Sequence, residues 1–297
     1  LRLYIFAPEQ TAGFVYHFSL YLPDNRNSFF EGIIHGAELA AAELDSVISI
    51  HSIDPAKNEL EFAAFTGADG VIVCPYLDNA LAQRLLEKLS SRQLPTVLIN
   101  YNVPSDRPWP FVGVNNYDLG RRIGLVLPES PEKIRVAVVY SSKAPGIFRE
   151  RELMEMGISA SLGERLSGPI VRYRTNLNPL DAEALLVSIF RDSNIRFGET
   201  FFSPSVNTIV FTDPEDTVAA AQTLVDLNLV GQIQIVGFGD DPGVLENLRK
   251  GIVSASMVIN AERIGYEAVH SLAALITEGF TSASVDTGIE VITGSGQ

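Results

Sequence analysis

The most constraining feature of this sequence is a regular alternation between short runs rich in Val and Ile and longer amphipathic runs. The short runs, such as "GVIVC" and "RVAVVY", lack alternating polar residues, which is typical of parallel strands buried on both faces. The longer runs, such as "NALAQRLLEKL", repeat apolar residues at helical spacing. Strands and helices in alternation predict a doubly wound α/β sheet.

The alternation falls into two series, and the second begins at "RVAVVY". The chain has 297 residues, which is more than a typical domain of about 100–150 residues. We therefore predict an α/β fold with two Rossmann-like lobes, each built on a parallel central sheet. No flexible linker separates the series, so we expect ordered chain crossings between the lobes.

Composition excludes several classes of protein. The net charge is −14, and no basic run is longer than the pair Arg121–Arg122. Nucleic acid binding by this portion is therefore disfavoured, because phosphate neutralisation needs clustered basic residues. No apolar run reaches 18 residues, so no membrane span is predicted. The one cysteine, Cys74, lies in an apolar run and is interpreted as a buried strand residue.

Motifs of common enzymes are absent from the sequence. It contains no phosphate-binding G-x-x-x-x-G-K-[ST], no G-x-S-x-G and no H-E-x-x-H. The four histidines are scattered without metal-ligand spacing. The stretch "GFGDDPG" approaches a dinucleotide motif, but Pro242 occupies the place of its third glycine. We predict no catalysis, no catalytic residue, no cofactor and no metal.

One segment departs from the alternation. About twenty residues separate the first strand-like run, "RLYIF", from the helix that follows, whereas such a loop ordinarily takes about 2–6 residues. We interpret residues 8–26 as an insertion that contains a short strand with aromatic residues on both sides. It is either a surface excursion packed on the first lobe or a lid or partner-docking element.

The next helix begins within "NSFFEGIIHG". Ser28 is the predicted N-cap, and Glu31 follows at the spacing of a capping box. Successive helical residues point about 100° apart, so Phe29 and Phe30 cannot easily both enter the core. One ring and Asn27 are therefore left for another role.

Polar and aromatic residues recur just past the strand ends, where open α/β sheets bind ligands. In this order they resemble the type I periplasmic binding proteins, especially the ribose-binding branch, which shares its fold with the lactose-repressor core. The resemblance covers nearly the whole chain except the 8–26 insertion. The motifs that carry it include "NSFFEGIIHGAELAA", "GADGVIVCP", "LPTVLINYN", "FVGVNNYDLGRR", "FRERELMEMGISASL", "TIVFTDPEDTVAAAQTL", "QIVGFGDDPGVL" and "GIVSASMVINAERIGYEAV".

The resemblance implies two lobes joined by three hinge crossings. The N-terminal lobe would comprise residues 1–114 and 261–283, and the C-terminal lobe residues 115–260 and 284–297. The protein would be an extracytoplasmic solute-binding protein that closes around a small polar ligand, a sugar or sugar-like molecule. Its partner would be a membrane permease of the ABC type or a receptor. Its location would be periplasmic or extracellular, with or without a lipid anchor.

The resemblance also implies ligand-binding residues. The aromatic rings would lie against the apolar face of a sugar, and amide, carboxylate and guanidinium groups would bond its hydroxyls. Arg149 is the fallback for Arg151. The ordinary structural alternatives stay open: core packing for the two rings, a surface arginine, and helix or backbone caps for Asp213 and Asn260. The predicted set is Asn27, Phe29, Phe30, Asn100, Tyr101, Arg151, Asp213, Asp240 and Asn260.

Three departures from the family pattern bear on the ligand. Gly239 stands in place of an acid, Asn100 replaces another acid, and Tyr101 replaces an arginine. Fewer carboxylates mean fewer strong acceptors for sugar hydroxyls, and Gly239 is expected to leave space. A ligand larger, or poorer in hydroxyls, than a free pentose would suit these changes.

Three other classes of protein remain open. The chain could be the effector core of a cytoplasmic lactose-repressor-type regulator, whose DNA-binding headpiece would precede Leu1. It could be the sensor domain of a membrane kinase or chemoreceptor, and a membrane span would then follow Gln297. An α/β enzyme is the remaining alternative. A signal peptide upstream of Leu1 would favour the solute-binding protein.

Overall fold

The structure is a computed structural model, and it describes residues 15–23, 27–53, 67–75, 79–103, 108–129, 132–142, 151–176, 178, 180–192 and 206–294. The strands are β1 (His17–Pro23), β2 (Val47–Ile53), β3 (Gly70–Val73), β4 (Thr96–Ile99), β5 (Phe111–Gly113), β6 (Val136–Ser141), β7 (Val171–Thr175), β8 (Thr208–Phe211), β9 (Gln234–Phe238), β10 (Ala255–Ile259), β11 (Ser284–Asp286) and β12 (Ile289–Thr293). The helices are α1 (Ser28–Glu43), α2 (Asn79–Ser91), α3 (Asn116–Val126), α4 (Arg151–Leu162), α5 (Asp181–Asp192), α6 (Pro214–Asp226), α7 (Pro242–Arg249) and α8 (Ala261–Thr277).

The chain divides into two compact α/β units. Unit 1 comprises Leu1–Gly113 and Ala261–Val285, and unit 2 comprises Val114–Asn260 and Asp286–Gln297. Each unit holds a six-stranded sheet in which parallel pairing dominates. The predicted fold class, two doubly wound lobes with parallel central sheets, is confirmed.

The sheet of unit 1 has the strand order β11-β5-β4-β3-β1-β2. β1 pairs in parallel with β2 on one side and with β3 on the other, so the direction of winding reverses at β1. The interpretation of residues 8–26 as an insertion is therefore wrong for the segment 17–23. That segment is an interior strand, and its Phe18, Leu20 and Leu22 are fully buried. The run "RLYIF" lies outside the described residues.

The sheet of unit 2 has the order β12-β10-β9-β8-β6-β7, and β12 is antiparallel to β10. Alternate residues of β6 belong to separate cores on its two faces: Val138 and Tyr140 lie in one, Ala137 and Val139 in the other. A sheet covered on both faces requires continuous apolar strands, which explains why the Val-rich run predicted this strand.

Two chain segments enter unit 2 side by side. The Asn115 side chain caps α3 by accepting hydrogen bonds from the backbone N–H groups of Tyr117 and Asp118, both at 3.1 Å. The backbone N–H of Asn115 donates to Oδ1 of Asp286 at 3.3 Å, and the N–H of Gly288 donates to the same oxygen at 3.0 Å. The Asp286 carboxylate thus joins the two segments where they begin their course through this unit.

None of the helices in the described part of the chain combines the length and the apolar character needed to cross a membrane.

Candidate functional site

The carboxyl ends of β1 and β3 mark the point where the sheet of unit 1 changes its direction of winding. Open α/β sheets bind ligands at such a switch point. Asn27 follows β1 after a short connection and precedes α1. The strand at 17–23 therefore brings Asn27 and the start of α1 to the place where a ligand is expected.

Asn27, rather than Ser28, is the N-cap of α1. Its backbone is extended, with φ −132° and ψ −178°, and its Oδ1 accepts a hydrogen bond from the N–H of Phe30 at 3.2 Å. The predicted Ser28 cap is wrong because the helix starts at Ser28 itself. Since Oδ1 caps the helix, the Nδ2 group is the part of this exposed amide that suits a ligand.

Only one of the two phenylalanines enters the core, as predicted. Phe30 is 3% exposed, whereas Phe29 is half-buried. The rings meet edge to face, with centroids 5.5 Å apart and an interplanar angle of 73°. Phe29 is therefore the ring with surface left for a ligand, and Phe30 supports it from within.

Asn100 and Tyr101 follow β4, and Asn100 is partly buried whereas Tyr101 is buried. Asn100 has a left-handed backbone, with φ 57°, a conformation that asparagine tolerates better than most residues. Its side chain hydrogen-bonds the thiol of Cys74, while burial raises the pKa of that thiol to about 12. Tyr101 is 4% exposed and packs in the hydrophobic core with Tyr21 and Phe111. These contacts give both residues a structural role, and ligand contact by them remains a prediction.

In unit 2 the winding reverses at β6, which lies between β7 and β8. Asp213 follows β8 and caps α6, since its Oδ1 accepts a hydrogen bond from the N–H of Asp216 at 3.0 Å. Its exposed fraction is 3%. The helix-cap alternative for Asp213 thus describes its observed contact, and any ligand contact would be additional.

Sequence reasoning missed a buried polar cluster around the carboxyl ends of β6, β7 and β8. The hydroxyl of Thr175 donates to Oδ2 of the fully buried Asp216 at 2.5 Å. The N–H of Ser141 donates to the hydroxyl of Thr212 at 3.0 Å. β6 and β7 end in Ser141 and Thr175, and Thr212 directly follows β8; this repeated Ser or Thr is the signal that could have identified the cluster.

The remaining predicted residues of unit 2 follow β6, β9 and β10. Arg151 is partly exposed and is the first residue of α4, whereas its fallback, Arg149, lies outside the described residues. Asp240 and Asn260 are exposed and follow β9 and β10. The nine predicted residues therefore follow parallel strands, five of them in unit 1 and four in unit 2.

Gly239 is required by the backbone. Its φ is 85°, and a Cβ there would meet Oδ2 of Asp241 and the ring of Pro214, each at 2.9 Å. Its N–H donates to the carbonyl of Met257 at 2.9 Å, and its carbonyl accepts from the Ser256 hydroxyl at 2.5 Å. Because a left-handed conformation explains the glycine, Gly239 no longer supports the argument for a larger ligand.

Metal chemistry has no visible basis in the described residues, where no group of three His, Cys, Asp or Glu side chains could hold a metal ion.

A family model described as "Periplasmic binding protein domain" matches residues 18–279. The matched region includes most of β1, in agreement with the interior position of that strand in the sheet. No curated protein matches the chain significantly.

Solved structures share the fold over almost the whole chain. A glucose-galactose binding protein, GanP, from Geobacillus stearothermophilus is 22% identical, with a TM-score of 0.78 over 94% of this chain and 97% of its own. An ABC transporter solute-binding protein from Burkholderia graminis, in complex with D-arabinose, is 17% identical, with a TM-score of 0.75 over 93% and 94%. A putative LacI transcriptional regulator from Bacteroides fragilis is 14% identical, with a TM-score of 0.77 over 94% and 97%.

Proposed function

Because the chain belongs to the periplasmic binding protein domain family, we propose that it is an extracytoplasmic solute-binding protein for a small polar ligand, and that this ligand is a sugar. The observation that carries the proposal is the half-buried ring of Phe29 beside the amide of Asn27 at the switch point of unit 1. An aromatic face next to polar groups suits the mixed apolar and hydroxyl surface of a sugar.

The proposed ligand-binding residues of unit 2 include a basic group. Arg151 begins the helix that follows β6, and a guanidinium offers several fixed donors to paired hydroxyl oxygens. The similar folds of GanP, a glucose-galactose binding protein, and of a solute-binding protein in complex with D-arabinose support a sugar as the ligand class. The protein acts by binding rather than by catalysis.

The proposed partner of the sugar-bound protein is a membrane permease of the ABC type or a receptor. Ligand-driven closure of the two units, which the family resemblance implies, would make the bound state distinguishable to such a partner. Small-angle scattering with and without sugar tests this step. We expect a smaller radius of gyration with saturating sugar, and an unchanged radius would contradict closure.

The first experiment is thermal unfolding against a panel that contains D-glucose, D-galactose, D-arabinose, polyols, nucleosides and amino acids. A ligand that binds only the folded protein adds about 2.7 kcal/mol of stability at 100 times its Kd. We expect one sugar to raise the melting temperature, and Arg151→Ala to remove the effect. Arg135→Ala, at the amino end of β6, is the matched arginine control and should leave the shift intact.

Asn27→Asp sharpens the test. Aspartate is as good an N-cap as asparagine, so α1 keeps its cap while the Nδ2 donor is lost. We expect unchanged stability without sugar and a weaker response to it. If no sugar of the panel stabilises the protein, the sugar proposal is contradicted. If the Asn27→Asp protein responds to sugar as the wild type does, the role of Asn27 is contradicted.

A second candidate function is the effector-binding core of a transcription regulator, since a putative LacI regulator shares the fold. The native sequence upstream of Leu1 distinguishes the two. A signal peptide there supports the solute-binding protein, and a helix-turn-helix headpiece supports the regulator.

A further inference from the structure

A second polar cluster, partly buried, lies in unit 2 and is centred on Glu155, one turn into α4. The carboxylate of Glu155, in α4, accepts three hydrogen bonds from two strands. The Tyr140 hydroxyl, in β6, donates to Oε1 at 2.8 Å. Arg172, in β7, donates from Nε to Oε1 at 2.7 Å and from Nη2 to Oε2 at 2.5 Å. Both carboxylate oxygens of Glu155 are therefore held, and the helix is tied to two strands at once.

Tyr140, Glu155 and Arg172, called the anchor below, hold the Glu155 carboxylate in a fixed orientation. The Glu155 side chain is 10% exposed, whereas that of Arg172 is 52% exposed. A two-point arginine–carboxylate contact fixes orientation as well as distance. Burial and the hydrogen bond to Glu155 raise the pKa of Tyr140 above its ordinary value of 10.0, so the hydroxyl remains a donor throughout the physiological range. Because the Arg172 guanidinium is half exposed, solvent screens the ion pair and its net contribution to stability is expected to be small, so stability alone gives little reason for the cluster.

The anchor can determine the orientation of Arg151, because Arg151 lies in the same helix as Glu155. Residues i and i+4 of a helix lie on the same face, so Arg151 lies one turn before Glu155 on the anchored face of α4. Tyr140 is the penultimate residue of β6, which puts this turn at the carboxyl end of that strand. The positive charge of Arg151 opposes the rise in the pKa of Tyr140, in keeping with the position of Arg151 on the same helix face as Glu155.

We propose that Tyr140, Glu155 and Arg172 are positioning residues that fix the first turn of α4 and thereby aim the Arg151 guanidinium at a bound sugar. The inference rests on the proposed function, because Arg151 must contact the sugar for its orientation to matter. Tyr140 and Arg172 act on the helix of Arg151 through their hydrogen bonds to Glu155.

Calorimetric titration tests the proposal, with whichever of D-glucose, D-galactose and D-arabinose stabilises the wild-type protein most. Arg172→Lys keeps the charge but removes the two-point contact, and the exposed position of Arg172 lets the variant fold. We expect affinity to fall about fivefold, an effect of the size found for coupled neighbours. Arg135→Lys, which alters the Arg135–Glu132 pair at the amino end of β6, should bind as the wild type does.

A double-mutant cycle separates positioning from a general structural effect. If Arg172 acts through Arg151, Arg172→Lys will weaken binding in the wild type and change it little in an Arg151→Lys background. Equal losses of affinity in both backgrounds would overturn the positioning proposal. Wild-type affinity in the Arg172→Lys variant would overturn it as well. In both cases the proposed function survives. A wild-type protein that binds none of the three sugars contradicts the proposed function itself, and the anchor then has no ligand group to aim.

Discussion

The α-carbon of Gly36 in α1 lies directly against the backbone carbonyl of Glu262 in α8, so that a methyl group at position 36 would overlap the oxygen. Gly265 makes the reciprocal contact with the backbone of Ile33. Small residues on both helices allow their backbones to approach closely. The helix that carries Asn27 and Phe29 at its start is thereby fixed against the helix that follows β10.

We expect Gly36→Ala to lower the free energy of unfolding by about 2 kcal/mol, because overpacking outweighs the gain in helix propensity of about 1 kcal/mol. Urea unfolding measures the change. Gly67→Ala is the control, since a Cβ at that position has nothing within 4 Å. A Gly36→Ala protein as stable as the wild type would show that the helices can move apart at little cost.

The adjacent rings of Phe29 and Phe30 give a matched pair of substitutions, one expected to act mainly on stability and the other mainly on sugar binding. Phe30→Ala removes a 3% exposed ring and should cost about 3–5 kcal/mol of stability. Phe29→Ala removes a half-buried ring and should cost about 1 kcal/mol, while it weakens sugar binding. Urea unfolding and calorimetry together check both. The proposed aromatic contact fails if Phe29→Ala binds sugar with wild-type affinity.

Cys74 should report unfolding of unit 1. It is 1% exposed, and burial raises its pKa to about 12, while the reactive form of cysteine is the thiolate. At pH 8 we expect a thiol reagent to label the native protein far more slowly than the urea-unfolded protein. The sequence has one cysteine, so mass spectrometry reads the reaction directly. Equally fast labelling of both states would contradict the buried position.

Acidification should destabilise the protein through His51. Burial and the nearby His17 lower the pKa of His51 below 6.5, so the unfolded chain takes up the proton first as the pH falls. Stability present above pH 6.5 is then lost progressively as the pH drops toward the folded pKa.

His51→Phe keeps an aromatic ring in the stack with Tyr21, whose centroid lies 4.6 Å from that of His51, and removes the ionisation. We expect the variant to lose less stability than the wild type between pH 7 and pH 5 in urea titrations. Identical losses in the two proteins would exclude His51 as the source.

Residues near strand ends show how far the sequence could predict the candidate site. Asn100, Tyr101, Asp213, Asp240 and Asn260 could be located because each follows a strand whose Val- and Ile-containing run is itself recognisable. The cap formed by Asp213 was among the alternatives that the sequence offered. The cap formed by Asn27 was not predicted, because it depends on where the helix begins and the neighbouring Ser28 satisfies the same preference.

The first strand illustrates a second limit. "RLYIF" and the segment 17–23 both have strand-like composition, and local propensity does not distinguish them. Pairing with β2 and β3 makes 17–23 an interior strand of the sheet, and this pairing involves residues farther along the chain. The error made a short connection look like a long insertion.

The sequence by itself determined the α/β class, the division into two series and the places where polar groups follow strands, because hydrophobic periodicity and residue order are local properties. Only the tertiary structure decided that the segment 17–23 is an interior strand of unit 1, which phenylalanine is buried, why Gly36 and Gly239 are glycines, and that Glu155 anchors α4 to two strands. Each of these depends on atoms brought together from distant parts of the chain, where packing and hydrogen-bond satisfaction override local preference.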